Sequence, residues 1–153
     1  MRHLTLAATT LVFTLTTAPP ARADEPTAID QLVAAAQIVH ADAVEVQQML
    51  GTRSVNLVAV LQQVDVLQAR TGALIAAMAA PGVADAVRTP AQATALERAR
   101  VAAGIMQALI ASKARILADV DSAPANRQTL RDKAAGVAGR AALVDAQMAQ
   151  LRD

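Results

Sequence analysis

An all-α fold, an antiparallel four-helix bundle built from two helical hairpins, follows from three observations on the sequence. Apolar residues recur at alternating spacings of three and four in four separate stretches. The prolines beyond residue 23, namely Pro26, Pro81, Pro90 and Pro124, all fall between those stretches. The stretches themselves are rich in Ala, Leu, Gln and Arg, all good helix formers. The alternative architecture is an extended coiled-coil hairpin with one long first helix, because a single heptad register can be followed from Ile29 to Met78.

Residues 1–23 carry the marks of a signal peptide. Arg2 and His3 form a basic head, Leu4 to Thr17 an apolar run, and Ala21-Arg22-Ala23 an A-x-A site with cleavage expected after Ala23. The apolar run is too short for a spanning helix, so no stable membrane span is expected after cleavage. The expected location is periplasmic or secreted, with residues 24–153 forming a single helical-bundle domain. The chain has no cysteine, which excludes a disulfide framework, a thiolate metal site and a lipid-modified N-terminal cysteine.

The first helix should start at a Thr27 cap with Asp30 three residues on, and bury Ile29, Leu32, Val33, Ala36, Val39, Ala43, Val46 and Leu50. Gly51-Thr52-Arg53-Ser54 reads as a turn, with Gly51 as a left-handed terminator and Ser54 as the next cap. Arg53 and Thr71 stand at core positions of the continuous register, which favours the hairpin over the long helix. The second helix, from about Val55 to Ala80, should bury Leu57, Val60, Leu61, Val64, Leu67, Leu74, Ile75 and Met78.

Pro81-Gly82 stops that helix, and residues 81–89 form the connection between hairpins, with one helical turn expected at Val83 to Val87. Thr89-Pro90-Ala91-Gln92 combines a cap, a proline at the first helical position and a reciprocal glutamine. The third helix should run to about Val120 and bury Leu96, Ala99, Ala103, Met106, Ile110, Leu117 and Val120. A second apolar line, Val101, Ile105, Leu109 and Ile116, makes it two-sided: either it packs against two neighbours or its extra face meets a partner. Arg115 and Asp119 can pair across one turn.

Asp121 to Pro124 is the next break, with Ser122 or Asn126 as a cap. The last helix has the most regular pattern, Leu130, Ala134, Val137, Ala141, Val144, Met148 and Leu151. Alanine at alternate core positions predicts close helix approach, and Gly136 and Gly139 reduce local bulk further.

Function is constrained mainly by exclusions. Losing Arg2 and Arg22 from the 14 basic residues, against 13 acidic ones, leaves a slightly acidic mature chain. No nucleic-acid footprint results. The single aromatic, Phe13, lies in the signal peptide, so the mature chain has no base- or sugar-stacking platform. His40, the one mature histidine, has Val44 and Ala43 where a helical metal site needs ligands; Asp42 and Glu45 point elsewhere. Met49, Met78, Met106 and Met148 come one per helix and read as core filler rather than a soft-metal site. The acids Asp65, Asp85, Glu97, Asp119, Asp132 and Asp145 are scattered singly, and Ser54, Ser112 and Ser122 lack a base. The residues assign no catalytic, cofactor-binding or metal site. Arg127, Arg131, Lys133 and Arg140 on the last helix read as a solvated face.

The expected function is therefore that of an exported, non-enzymatic interaction or structural protein of the bacterial envelope, with a protein partner or self-association and an association with a secretion or pilus system. Carriage of an apolar ligand between helices is a further alternative. Thr89-Pro90-Ala91-Gln92, followed by an Ala-, Leu-, Glu- and Arg-rich helix, resembles the LTxxQ motif of the Spy and CpxP family of periplasmic stress proteins. Arg88 stands where that family has leucine. The resemblance implies an exported helical hairpin dimer acting as a stress chaperone or metal-responsive sensor.

Overall fold

The computed structural model describes residues 27–118 and 126–152, the side chains of 113–118 excepted. The signal-peptide reading of 1–23, the turn at Asp121 to Pro124 with Ser122, and the Arg115–Asp119 pair lie outside what is described. So do the burial expected of Leu117 and Val120 and the side chain of Ile116. The described residues form α1 (Ala28–Gly51), α2 (Leu57–Met78), a short α3 (Pro81–Ala86), α4 (Pro90–Ala118) and α5 (Arg127–Ala149). This is the all-α bundle that the spacing of apolar residues predicts. The long-first-helix alternative is set aside by the break between α1 and α2.

α1 packs on α2 and α5, α4 packs on the same two helices, and α3 rests on α1. The order around the bundle is thus α1, α2, α4, α5, with the α1–α2 edge opposite the α4–α5 edge. Side-chain pairings fix the antiparallel sense. Asp42 of α1 meets Arg70 of α2, Arg152 after α5 meets Asp30 at the start of α1, and Arg131 near the start of α5 meets the end of α1.

The core follows the expected stripes closely. Leu32, Val33, Ala36, Val39, Ala43, Val46 and Leu50 of α1 are buried, as are Val60, Val64, Leu67, Leu74 and Met78 of α2. Ile29, Leu57, Leu61 and Ile75 pack against this core while only partly buried. In α4 the buried set is Ala95, Leu96, Ala99, Ala102, Ala103, Met106 and Ile110. All seven stripe residues of the last helix are buried, six within α5 and Leu151 just past its end, with Ala141 and Val144 wholly enclosed at 0%. Buried alanines at positions 99, 103, 134 and 141 keep large side chains off these faces of α4 and α5, and α5 packs on both α1 and α4. The two glycines of α5 are not part of that packing: a Cβ at Gly139 would meet nothing within 4 Å, and one at Gly136 only the side chain of Arg140.

Helix starts match their sequence signals. Thr27 and Asp30 form a reciprocal capping box, with the Asp30 amide donating to Thr27 Oγ1 at 3.1 Å and the Thr27 amide to Asp30 Oδ2 at 3.3 Å. The Thr27 hydroxyl bond is the largest cause holding the Asp30 carboxyl below its ordinary range, and Arg152 lowers it further. At α4, the Gln92 amide donates to Thr89 Oγ1 while Gln92 Oε1 accepts from the amides of Thr89 and Arg88. These bonds account for the Thr-Pro-Ala-Gln motif as a helix start.

Two expectations at the first turn need correction. Gly51 is not left-handed, since no glycine among the described residues has a positive φ. It is the last residue of α1, and the chain turns at Thr52, which is extended at φ −68° and ψ 157°. The Thr52 hydroxyl lies at the turn within 2.9 Å of the Met49 carbonyl and 3.0 Å of the Ser54 carbonyl and shares its one proton between them, which does the work assigned to glycine. Nor does Ser54 cap the next helix; Asn56 does, accepting from the Ala59 amide at 3.1 Å. Arg53 is exposed in this turn. Thr71 does occupy the core at 0% exposure, its hydroxyl satisfied by the Leu67 carbonyl at 2.7 Å.

Candidate interaction surface

The carbonyls left open at helix C-termini are closed here by side chains from neighbouring helices. Arg131 of α5 donates from Nε to the Leu50 carbonyl at 2.7 Å, and its Nη2 lies 3.3 Å from the Thr52 carbonyl. Arg100 of α4 donates to the Met78 carbonyl at the end of α2, and also pairs with Glu97. Gln92 of α4 donates from Nε2 to the Leu151 carbonyl past the end of α5. A guanidinium at a helix C-terminus also meets the negative end of the helix dipole favourably. Arg131, which reads in the sequence as part of a solvated face, is therefore a fastener between α5 and α1.

Polar side-chain contacts also cross the α1 interfaces, Gln63 of α2 donating to Glu45 at 2.8 Å among them. Asp42 is not directed away from the bundle: it is buried at 6% exposure. It takes two contacts of 2.8 Å from Arg70 Nη1, with Gln63 at 3.4 Å beyond. His40 Nδ1 lies 3.1 Å from Asp145 Oδ2 of α5. Asp145 is thus engaged rather than solitary, and His40 has an interhelical structural role. Met78, Met106 and Met148 are fully buried, and Met49 packs against the core at the opposite end of the bundle from Met78 and Met148. The four thioethers do not gather. No group of three or more His, Cys, Asp or Glu is placed to hold a metal among the described residues.

What remains open is the outer face of α4. Val101 is 62% exposed and Ile105 45%, and across the groove Leu143 of α5 is 47% exposed. α4 does pack on two neighbours, and Leu109 of its second apolar line is partly buried against the core, but Val101 and Ile105 stay outside those contacts. The groove between α4 and α5 has a volume of ≈ 690 Å³ and is floored by Ala102 and Gln147, with Arg98 and Arg140 along its rim. Gln147 is buried and its Oε1 has no hydrogen-bond partner. A buried amide oxygen in that state is uncommon and calls for an explanation.

Comparison with protein-family models, curated proteins and solved structures finds no match. Among the described residues no helix is long and apolar enough to cross a membrane. The surface chemistry of the chain thus carries its functional reading. A second apolar groove lies on the opposite edge, between α1 and α2, with Ile38 exposed beside it.

Sequence reasoning finds Val101 and Ile105 but not Leu143, which lies one residue before a core position of α5. It also misses both interhelical pairs. A signal for them exists: Asp42 and Arg70 each stand one residue before a core position, and His40 and Asp145 each stand one residue after. On antiparallel helices these are matching flanks of the seam, where charged pairs form.

Proposed function

We propose that the protein is an exported, non-enzymatic interaction protein of the bacterial envelope, whose α4–α5 face receives a helical segment of a partner protein. A secretion or pilus assembly is the setting such a component suits. The observation that carries the reading is the cluster of Val101, Ile105 and Leu143 around one groove. Single exposed apolar residues are ordinary on protein surfaces, whereas clusters lining a groove mark binding sites.

The rim specifies the partner's chemistry. Glu97 is already paired with Arg100, so Arg98 and Arg140 leave the groove edge positive. An amphipathic helix with apolar residues at three- and four-residue spacing and acids on its flanks fits this face. A donor on that helix would also satisfy the Gln147 amide oxygen after a rotation of the side chain. The signal-peptide features at residues 1–23 support export.

The test is a nuclear magnetic resonance titration with two synthetic amphipathic helices that share an apolar face and differ only in flanking charge. The acid-flanked peptide should bind saturably and shift the methyl resonances of Val101, Ile105 and Leu143. Replacement of the exposed Ile105 by Asp should abolish the effect. Absence of saturable shifts on this face with either peptide would overturn the proposal.

A further inference from the structure

The groove on the opposite edge of the bundle has a different character. Its walls are α1 and α2, and the small side chains of Ala35, Ala73 and Ala77 leave the space between those walls unfilled at the surface. Ala80 and Val83 close one end where the α3 turn folds over α1. Arg70 stands at the other end, near Val39. The volume, ≈ 490 Å³, falls in the usual range for small-molecule sites, about 300–1,000 Å³. From Ala28 to Val39 along α1, at 1.5 Å per residue, the groove is about 16 Å long. It is therefore long, largely apolar apart from Gln31, and closed at one end, with a cation at the other.

The state of that cation matters. Arg70 is half exposed and is held by Asp42 through Nη1 alone. Among the described residues, its hydrogen bonds run from Nη1 to Asp42. A guanidinium fixed on one side by a buried carboxylate, with the rest of its donor fork turned to solvent, is preorganised to accept a second oxygen anion. The mature chain has no aromatic residue to stack on a sugar or base, so the walls select for aliphatic surface.

The geometry points to a binding site for a free single-chain carboxylate of medium length, the acyl chain lying between α1 and α2 and the head group on Arg70. A volume of ≈ 490 Å³ suits one acyl chain rather than two, which separates a free fatty acid from a bilayer lipid. Apolar contact along the walls supplies affinity, and the Arg70 fork sets the direction in which the chain enters.

The experiment is calorimetric and spectroscopic titration of the mature protein with dodecanoate below its micellar concentration, with dodecanol and two-chain phosphatidylglycerol vesicles as controls. One-to-one saturable binding of dodecanoate is expected, with shifts at Ala35, Ala73 and Ala77. Ala73 is exposed, so Ala73→Leu should keep the fold, shown by an unchanged circular dichroism spectrum, and abolish binding by filling the groove. Arg70→Gln should weaken dodecanoate about tenfold, the worth of a charge-assisted hydrogen bond, and bring it level with dodecanol. Vesicles should not bind. The proposal is overturned if dodecanoate does not saturate, if Ala73→Leu binds it as well as the parent, if dodecanol matches dodecanoate on the parent, or if vesicles bind in its place.

Discussion

Replacing Gly51 by alanine separates two accounts of the first turn that differ in the sign of the effect. If Gly51 ended α1 in a left-handed conformation, alanine would be strained there and the protein would lose about 1 kcal/mol or more. The structure gives the opposite result. Gly51 is the last residue of α1 with φ not positive, and an added Cβ meets nothing within 4 Å. Alanine then removes unfolded-state freedom and improves helix propensity, a gain of about 0.5–1 kcal/mol. The turn is unaffected, because Thr52 makes it and Arg131 holds the Leu50 carbonyl in place. For a domain of this size the gain corresponds to a rise of about 2–6 °C in melting temperature. Urea unfolding followed by circular dichroism reads it as a higher midpoint with an unchanged slope. A fall in stability of 0.5 kcal/mol or more would refute the account of this turn.

Three further substitutions or titrations probe other parts of the bundle. Arg70→Met should cost about 1–3 kcal/mol in urea unfolding by leaving the buried Asp42 carboxylate without its partner. The double variant Asp42→Leu with Arg70→Met should recover most of the loss, since apolar replacement of a buried pair is often neutral. Ala141→Leu should destabilise by about 1–3 kcal/mol through overpacking of the α5 interface, measured the same way; a neutral result would mean the helices are not in close approach. Asp30 should titrate below 3.8 by carboxyl-detected resonance, because the Thr27 hydroxyl bond favours its charged form. The stabilisation it lends to the start of α1 is then present above its unfolded-state value and is lost as pH falls through the lowered one.

The frame of the molecule was legible because burial on a helix repeats, and repetition is visible in one dimension. Val137, Ala141, Val144 and Met148 announce their face by spacing alone, and Thr89 and Gln92 announce a helix start by chemistry that is local. The first turn was legible in place but not in mechanism. Glycine permits a left-handed residue without requiring one, and Thr52 had a hydroxyl that could end the helix by other bonds. Arg100 and Arg131 were opaque for a different reason. A long cation on a helix reads as solvated unless the carbonyl it reaches is known, and those carbonyls belong to other helices. Asp42 was hidden likewise, since its burial depends on Arg70 arriving from the second helix. Of the proposed interaction surface, the α4 half was visible as a second apolar line. The α5 half, Leu143 with the Arg140 rim, needed the two helices side by side.

Exchange of charge on the rim shows whether the α4–α5 groove recognises an apolar helix by its acidic flanks. Arg98 and Arg140 can be reversed together to Glu, and the affinities of the acid-flanked and base-flanked peptides measured on both proteins at low salt. The parent should favour the acid-flanked helix by about fivefold to tenfold, the scale of two exposed ion pairs, and the reversed variant should favour the other. Equal affinity of the parent for both peptides, or an unchanged preference after reversal, would contradict that recognition.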